Sequence, residues 1–499
     1  MLTQLRFSNF KSWADDHSVD FGRITGLFGP NSSGKSAILQ TLLLLKQTAE
    51  RREPNLILNF GGERGDYADF GSYAEIIHGR DYRRKLSLGI TWTGLYPRDF
   101  SSLGNVAASE HSLDVQISAD RPAYGQVRVE RIKQVLREFQ TRHGRKEPNA
   151  DPEMLTNEME IEIWHRSPEQ DEYEVRLRSL DNIPISLPAD RKYKPYYIHR
   201  IPNRVTLDIG QKAEETEDDL DAMLTRYEWV IQALFTVSPI NIDEFMENID
   251  YLGPVREEPR RLHQWRGVLP PTVGRRGESA IEIFLASEVS GGVISKRPSP
   301  SDNGWGRENY LEAADVENWL RRLDVAASIT PVRAGRGRQY WELMLRPPNV
   351  VGYQANLADV GFGVSQVLPV VVALLYARPG STVLLEHPEI HLHPKVQMDL
   401  VDFFIYAAKE RNIQIVFESH SEYMLARLQR RLAESNGSDS PVSTDDVKLY
   451  FCSLENGQSV LDPLEVNRNG SIQNWPPDFF GDTFTERMAI AKANIPTGD

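Results

Sequence analysis

The chain has 499 residues, of which 40% are hydrophobic and 26% are charged, and a formal net charge of −14. This composition is that of an ordinary globular protein rather than a disordered chain, and the acidic balance argues against a protein coated in nucleic acid but leaves room for a local basic groove. No apolar run approaches the roughly 20 residues of a membrane span, and the amino terminus lacks the apolar segment of a secretory signal. We therefore expect a soluble, cytoplasmic protein with no membrane contact. Because Cys452 is the only cysteine, an internal disulfide and a cysteine-based zinc site are also excluded.

Residues 1–80 begin with the pattern of a strand, a turn and a helix. An apolar run from Ile24 to Phe28 precedes a loop of Gly, Pro, Asn and Ser residues. Ala37, Ile38, Leu42 and Leu45 then recur at helical spacing. We expect this region to be the N-terminal part of an α/β domain.

Residues 81–250 have a different character and are predicted to be an inserted mixed α/β region. The alternating stretches "KLSLGITWTG" and "YEVRLRSL" predict antiparallel strands, and "VRVERIKQVLREFQTRH" predicts a helix. Residues 251–345 are predicted to be a connecting region, with helices in "RRGESAIEIFLAS" and "ADVENWLRRLD" and a strand in "GRQYWELMLRP".

Residues 346–499 are predicted to complete the α/β domain. A glycine-marked turn opens a helix in "VGFGVSQVLPVVVALLYA", and the buried-strand candidates "STVLLE", "NIQIVFES" and "VKLYFCSL" are separated by helical patterns. Alternating buried strands and helices require a parallel sheet. The predicted fold class is therefore α/β with a largely parallel sheet, interrupted by a mixed α+β insertion.

The loop after the first apolar run fits the phosphate-binding pattern G-x-x-x-x-G-K-[ST] in full, between a predicted strand and a predicted helix. In such a loop backbone N–H groups and the helix N-terminus surround phosphate oxygens, the lysine reaches the β- and γ-phosphates, and the final serine ligates Mg²⁺. We expect ATP and Mg²⁺ as cofactors. The predicted nucleotide-binding residues here are Gly29, Pro30, Asn31, Ser32, Ser33, Gly34, Lys35, Ser36 and Ala37.

The stretch "TVLLEHPEIHLHP" allows three interpretations. In the first, Glu386 ends a strand and holds Mg²⁺ with Ser36, while Glu389 or, less well placed, His387 activates water. In the second the stretch is an inert strand end and turn. The third is a zinc site of His387, His391 and His393, which lacks the H-E-x-x-H pattern because Pro388 follows His387. We rank the three in this order.

Together, "VLLEHPEIHLHP", the phosphate loop and "IQIVFESHSEYML" resemble the ATP-binding cassette class of P-loop ATPases, in the branch of the structural-maintenance-of-chromosomes (SMC) and OLD-family (overcoming lysogenization defect) proteins. The resemblance covers about residues 1–75 and 350–499. It implies that His420 contacts the γ-phosphate. It also implies that "DVGFGVSQVLP" is a signature segment that serves the nucleotide of a second subunit through Gly361, Gly363 and Ser365.

Two features of the resembled families are absent from the sequence. No glutamine lies between Thr48 and Arg80 to act as the lid residue, and no D-x-D pair of a Toprim nuclease domain follows His420. The chain thus looks like an ATPase without its own nuclease domain, and its stretch "WPPDFF" resembles the tail of stand-alone ATPases that are often encoded in anti-phage defence operons.

The preferred hypothesis is a Mg²⁺-dependent ATPase that forms homodimers, or assemblies of dimers, around ATP and controls a separate effector, plausibly a nuclease, in antiviral defence. One alternative is a nucleotide-gated assembly module with negligible turnover, and another is an ATPase of DNA repair or recombination. Arginine clusters with interleaved Trp265, Tyr340 and Trp341 make nucleic-acid contact conceivable, but each cluster also carries acids, and solvated ion-paired faces are commoner than grooves.

Overall fold

The computed structural model describes residues 1–51, 56–63, 65–94, 106–120, 127–140, 154–167, 172–179, 185–186, 238–289, 293–295, 310–335, 339–434, 442–467 and 469–476. The chain divides into two compact units. Unit 1 consists of Met1–Phe21, Ala37–Ile249 and Ser299–Gly304. Unit 2 consists of Gly22–Ser36, Asp250–Pro298 and Trp305–Asp499.

Unit 1 is built on an eight-stranded sheet in which every neighbouring pair is antiparallel. In spatial order the strands are β2 (His17–Asp20), β1 (Leu2–Ser8), β4 (Leu86–Gly94), β5 (Val106–Ala119), β6 (Val127–Gln140), β7 (Met154–Ser167), β8 (Glu172–Ser179) and β9 (Ile185–Ser186). The described helical elements of the unit are most of α1 (Lys35–Arg51), the short α2 (Tyr73–Ile76), a 3₁₀ turn at His78–Arg80, and α3 (Ser238–Glu247).

The helix predicted for "VRVERIKQVLREFQTRH" is wrong, because this segment forms strand β6. Its basic side chains recur with period two and pair with acids of β7, as in the Lys133–Glu160 and Arg137–Glu158 ion pairs at 2.8 and 3.2 Å. Ile132 on the same strand is buried. Cross-strand pairing on both sides of β6 therefore outweighs the helix-forming tendency of a charge-rich sequence.

Unit 2 contains a six-stranded sheet whose central strands are parallel. In spatial order it comprises β10 (Ile249–Leu252), β17 (Thr382–Glu386), β18 (Gln414–Glu418), β3 (Ile24–Phe28), β19 (Val447–Glu455) and β20 (Gln458–Pro463). Strands β17, β18, β3 and β19 run parallel in successive pairs, and β20 is antiparallel to β19. Every residue of β3, β17 and β18 is buried, as expected for parallel strands covered on both faces.

Five described helices of unit 2 contribute to one hydrophobic core. They are α4 (Ala280–Val289), α5 (Ala313–Arg322), α6 (Phe362–Tyr376), α7 (Pro394–Glu410) and α8 (Glu422–Glu434). Helix α6 is buried from Val364 to its end. Such a helix must be apolar all round, which explains its run of Val and Leu residues.

Smaller elements complete the described part of unit 2. Strands β11 (His263–Gln264), β15 (Tyr340–Arg346) and β14 (Ser328–Arg333) form an antiparallel sheet, and β16 (Ala355–Asn356) also pairs with β15. Strands β12 (Val293–Ser295) and β13 (Tyr310–Glu312) form a separate pair, and a 3₁₀ turn occupies Leu357–Asp359.

The predicted fold class, α/β with a largely parallel sheet and a mixed insertion, is confirmed. The domain boundaries predicted at residues 80, 250 and 345 stay a prediction, since the compact units divide the chain discontinuously. Within the described ranges, we find no helix with the length and apolar character needed to cross a membrane.

Candidate functional site

The predicted phosphate loop connects β3 to α1 and requires glycine where it turns. Gly29 has φ 137° and Gly34 has φ 97°, in the region that disfavours side chains. A Cβ on Gly29 would also lie 2.1 Å from the carbonyl oxygen of Cys452 on the neighbouring strand β19. Glycine is therefore required at position 29, where the loop backbone lies against strand β19.

Lys35 begins α1, and its side chain folds back over the loop. Its Nζ donates to the carbonyl oxygens of Gly29 and Pro30 at 3.1 and 2.7 Å. Burial lowers the pKa of Lys35, and the carboxylate of Glu418 opposes this effect. An ammonium held by two carbonyls is ready to exchange them for phosphate oxygens.

Two acids mark the adjacent carboxyl ends of the parallel strands β17 and β18. Glu386 and Glu418 are register partners and are both buried. Burial, followed by the charge of Glu418, raises the pKa of Glu386 to about 7. Burial also raises the pKa of Glu418. Two buried carboxylates at one end of a sheet repel each other when both are ionised, so a bound cation or a proton is needed to stabilise the pair.

The two acids have different partners. Ser36 Oγ donates to Glu418 Oε1 at 2.9 Å. Glu386 Oε1 accepts from the hydroxyl of Tyr251 at 2.9 Å, and its backbone oxygen accepts from Arg256 Nη2 at 3.1 Å. The structure thus joins the predicted metal ligand Ser36 to Glu418, a residue not selected from the sequence. The predicted metal role of Glu386 stays a prediction.

The histidine-rich stretch makes a tight turn directly after β17. His387 and His391 have φ 47° and 58°, and the side chain of His393 caps α7 by accepting from the N–H of Lys395. Glu389 Oε1 accepts from the backbone N–H of His420 at 2.9 Å. The turn therefore ties the end of β17 to the segment that follows β18.

His387 lies between two carboxylates. Its Nδ1 is 3.8 Å from Glu389 Oε1, and its Nε2 is 3.5 Å from Glu418 Oε1. The Glu389 carboxylate, more than any other group, raises the pKa of His387. Burial opposes the ionisation of Glu389, but His387 and the His420 N–H outweigh it and lower the pKa of this carboxyl.

His420 stacks on His387, with ring centroids 5.1 Å apart. Burial lowers the pKa of His420, and the charge of Lys35 acts in the same direction. A neutral imidazole beside the loop lysine is suited to hydrogen-bond a phosphate oxygen. The structure thus gathers four of the predicted residues, Lys35, His387, Glu389 and His420, in one charged neighbourhood.

The zinc interpretation can be compared with this geometry. Across the described ranges, the group of three potential metal ligands with atoms within 4.8 Å of one another is His387, Glu418 and His420. His391 and His393 are outside it. For Mg²⁺, the fitting oxygens are those of Ser36 and the strand-end acids, and Glu418 Oε2 is buried without a hydrogen-bond partner.

The predicted signature segment leads into α6. Gly361 precedes the helix, is exposed, and would have open space around an added Cβ. Gly363 lies in the first turn, and Ser365 is buried at 7% exposure. A role of these residues toward a second subunit stays a prediction. Among the loop residues Pro30, Asn31 and Ser32 are exposed, while Ser33 is buried with an unpaired Oγ, and Ala37 is buried on α1.

Sequence reasoning missed Glu418, Tyr251 and Arg256. A signal for Glu418 was present, because an acid ending a buried strand in a parallel sheet faces the same edge as Glu386. No comparable signal marks Tyr251 or Arg256. Their contacts with Glu386 span 135 and 130 residues of chain.

Two parts of the chain match family descriptions. Residues 350–426 match "AAA domain, putative AbiEii toxin, Type IV TA system", a segment that includes Glu386 and His420 but not the phosphate loop. Residues 442–489 match "Protein of unknown function (DUF3696)". No curated protein matches the chain.

Several solved structures are similar at low identity. An SMC head bound to the C-winged helix domain of ScpA has 12% identity and a TM-score of 0.39, with coverage of 94% of this chain and 98% of that chain. The SMC head domain from Thermotoga maritima has 11% identity, a TM-score of 0.33 and coverage of 93% and 99%. An SMC head with an extended coiled coil, bound to the C-terminal domain of ScpA derived from Pyrococcus furiosus, has 11% identity, a TM-score of 0.35 and coverage of 99% and 98%.

Proposed function

We propose that the protein is a Mg²⁺-dependent ATPase of the ATP-binding cassette class. The observation that carries this proposal is the junction of Ser36, the last residue of the phosphate loop, with the acid-bearing ends of β17 and β18. A loop that binds phosphates and a carboxylate that binds a metal must meet at one point for phosphoryl transfer. In this chain they meet through a 2.9 Å hydrogen bond.

The residues divide the work of binding. Lys35 exchanges its carbonyl partners for the β- and γ-phosphates, and the N-terminus of α1 faces the same charge. Ser36 and one of the two strand-end acids, Glu386 or Glu418, would hold Mg²⁺, which neutralises phosphate charge when bound. His420, held beside Lys35, hydrogen-bonds the γ-phosphate.

Activation of water falls to Glu389 or His387. Glu389 Oε1 is occupied by the His420 N–H, whereas Glu389 Oε2 is buried without a hydrogen-bond partner. The lowered pKa of Glu389 keeps the carboxylate ionised, so it can accept a hydrogen bond, and then a proton, from water. The raised pKa of His387 favours the protonated imidazolium, a form that cannot accept a proton from water.

Two features of the water-activating residues favour one alternative, a nucleotide-gated assembly module with negligible turnover. The residue directly after Glu386 is a histidine, and one oxygen of Glu389 is committed to the backbone. Binding of ATP would then bring two copies together without rapid hydrolysis.

In either form we propose a homodimer, or an assembly of dimers, in which the Gly361–Ser365 segment of one copy serves the nucleotide of the other. The assembly controls a separate effector, for which we propose a nuclease in anti-phage defence. The matched family description names a toxin of a type IV TA system, and the defence setting rests on the sequence resemblance alone.

ATP binding tests the proposal first. Lys35→Ala should weaken MgATP affinity, measured by calorimetry, by about 100-fold or more, because the phosphate charge loses its ammonium partner. Lys85→Ala, which removes an exposed lysine of unit 1, is the matched control and should bind ATP normally. Unchanged affinity in Lys35→Ala would remove the basis of the assignment.

A further inference from the structure

We propose that Glu418, rather than Glu386, is the carboxylate that holds the nucleotide-bound Mg²⁺ together with Ser36. This inference rests on the proposed function, because the ion arrives with ATP. It moves the metal-binding acid from the end of β17, where the motif pattern places it, to the end of the neighbouring strand β18.

The distance between the Ser36 hydroxyl and the Glu418 carboxylate fits two ligands of one ion. Ser36 Oγ and Glu418 Oε1 are 2.9 Å apart. Adjacent ligands of an octahedral Mg²⁺ lie about 2.0–2.1 Å from the ion at right angles, which places them about 2.9 Å from each other. The ion could therefore bind both oxygens with neither side chain moved far, while the Ser36 hydroxyl keeps its hydrogen and turns it away from Glu418.

The second oxygen of the Glu418 carboxylate lacks a hydrogen-bond partner. Glu418 Oε2 is buried and has no hydrogen-bond partner, and the residue is only 2% exposed. An ionised oxygen in such a place is costly unless a cation or a donor completes it. Lys35 does not fill this role directly, since its Nζ donates to the carbonyls of Gly29 and Pro30. His387 Nε2 lies 3.5 Å from the other oxygen, Oε1, so Oε2 is the atom left without a partner.

Glu386 is held by contacts on the side away from Ser36. Its Oε1 is held by the Tyr251 hydroxyl at 2.9 Å, and Arg256 fixes the backbone of the same residue. These contacts direct Glu386 toward β10 and the loop after it, while Ser36 hydrogen-bonds to Glu418. We assign Glu386 a supporting position, in which it orients a water of the ion's shell rather than the ion itself.

The identity of the ion follows from the ligands. His387 and His420 place nitrogen atoms near Glu418, so a softer ion such as Zn²⁺ would recruit imidazole. Mg²⁺ prefers the serine, carboxylate and phosphate oxygens and retains water for the remaining positions. Mn²⁺ accepts the same oxygen ligands and provides a spectroscopic signal.

The experiment measures metal binding directly in the full chain. Free Mn²⁺ is followed by electron paramagnetic resonance while it is titrated into protein saturated with a non-hydrolysable ATP analogue. Glu418→Gln should weaken the Mn²⁺ affinity of this complex by about 100-fold or more, because a direct ligand loses its charge, whereas Glu386→Gln, which alters only a water of the ion's shell, should weaken it by about tenfold. Glu418→Asp, which keeps the charge, should fall between wild type and Glu418→Gln. Analogue affinity without metal, measured in EDTA, should be retained in all three variants.

The outcomes separate the two claims. Loss of Mn²⁺ affinity in Glu386→Gln, with Glu418→Gln unchanged, overturns this inference but leaves the ATPase proposal intact. Equal losses in both variants also overturn it, since the two acids would then share the ion. A wild-type chain that binds no analogue overturns the proposed function itself. If Glu418→Gln does not fold, as judged by circular dichroism, Glu418→Asp and Glu386→Gln still decide the question.

Discussion

His387 and Glu389 carry the chemical ambiguity of the site at the scale of single residues. His387 follows the strand-end acid in a left-handed conformation, and its ring lies between Glu389 and Glu418. Glu389 is almost fully buried and accepts a backbone N–H with one oxygen. The fold therefore presents two candidate bases, of which only Glu389 is held in the ionised form by its neighbours.

Glu389→Gln should slow single-turnover ATP hydrolysis by about 10²-fold or more while MgATP affinity is kept. Glutamine can still accept the His420 N–H, so the turn is preserved and only the charge is lost. His387→Gln should cost less than about tenfold. Rapid-quench measurement of phosphate in the two variants, beside the exposed control Glu455→Gln, compares them directly.

A reversed order of these effects would move the base to His387. If neither variant slows hydrolysis, the turn after β17 serves only to connect the strand with α7.

The strand ends could be predicted at the residue scale, but their partners could not. Glu386 follows from an apolar run that ends in an acid, whereas the hydrogen bond from Tyr251 depends on β10 joining the same sheet. Strand order in a parallel sheet is not encoded in local periodicity. For the same reason the sequence does not pair Glu418 with Ser36, although the stretch "VFESH" contains both Glu418 and the predicted His420.

At the scale of elements, buried strands were predictable because they have few alternatives. Runs such as "TVLLE" and "QIVFE" are apolar, short and bounded by polar residues, and they form β17 and β18. Strand β6 was not predictable in the same way, since its alternating charges only become favourable when β7 supplies the opposing acids. Local composition alone favours a helix there.

Strand β5 leads to a pH-dependent prediction for unit 1. His111 is 3% exposed, contacts Ser109 Oγ at 2.9 Å and stacks on Trp92, and burial lowers its pKa to about 4. The ordinary pKa of 6.5 applies in the unfolded chain, so the unfolded state binds the proton more tightly. Stability is therefore lost as the pH falls from 6.5 toward 4, by about 2 kcal/mol at pH 5.

His111→Phe should reduce this loss, because phenylalanine keeps the stack on Trp92 and cannot be protonated. Ser109 would still donate to the carbonyl of Gly94. Thermal unfolding of both proteins at pH 7.5 and pH 5 measures the difference. A variant that loses as much stability as wild type on acidification would show that His111 is not the titrating group.

The start of α6 is the element on which the proposed assembly depends. Gly361 is exposed, has φ −58° and has open space around it, so a larger side chain fits the single chain. Gly361→Arg should leave MgATP binding unchanged but lower steady-state hydrolysis by about tenfold or more, because the arginine would occupy the contact with a second copy. Light scattering with a non-hydrolysable analogue should show the loss of dimers.

Gly361→Ala is the matched control for this variant and should keep both hydrolysis and nucleotide-dependent dimers. Full turnover by Gly361→Arg would exclude this helix start from the active assembly.

At the scale of the whole molecule, the chain crosses between its two units within the phosphate loop region. Gly22–Ser36 belongs to unit 2, whereas the chain on either side of this segment belongs to unit 1. Sequence patterns predicted that the two ends of the chain build one α/β sheet, because a buried apolar strand such as β3 requires parallel neighbours and the candidates for them lie near the carboxyl end. They could not predict that the first two strands belong to an antiparallel sheet of unit 1, since an alternating strand does not specify its neighbours.

The central claim is that this chain hydrolyses ATP at the junction of its phosphate loop with the ends of β17 and β18. Phosphate release by the purified full chain, with and without DNA, under steady-state and single-turnover conditions tests it most directly. We predict release that requires Mg²⁺, disappears with EDTA and is absent in Lys35→Ala. A wild-type chain that binds MgATP with normal affinity yet releases no phosphate in a single turnover would contradict the claim and establish the assembly module in its place.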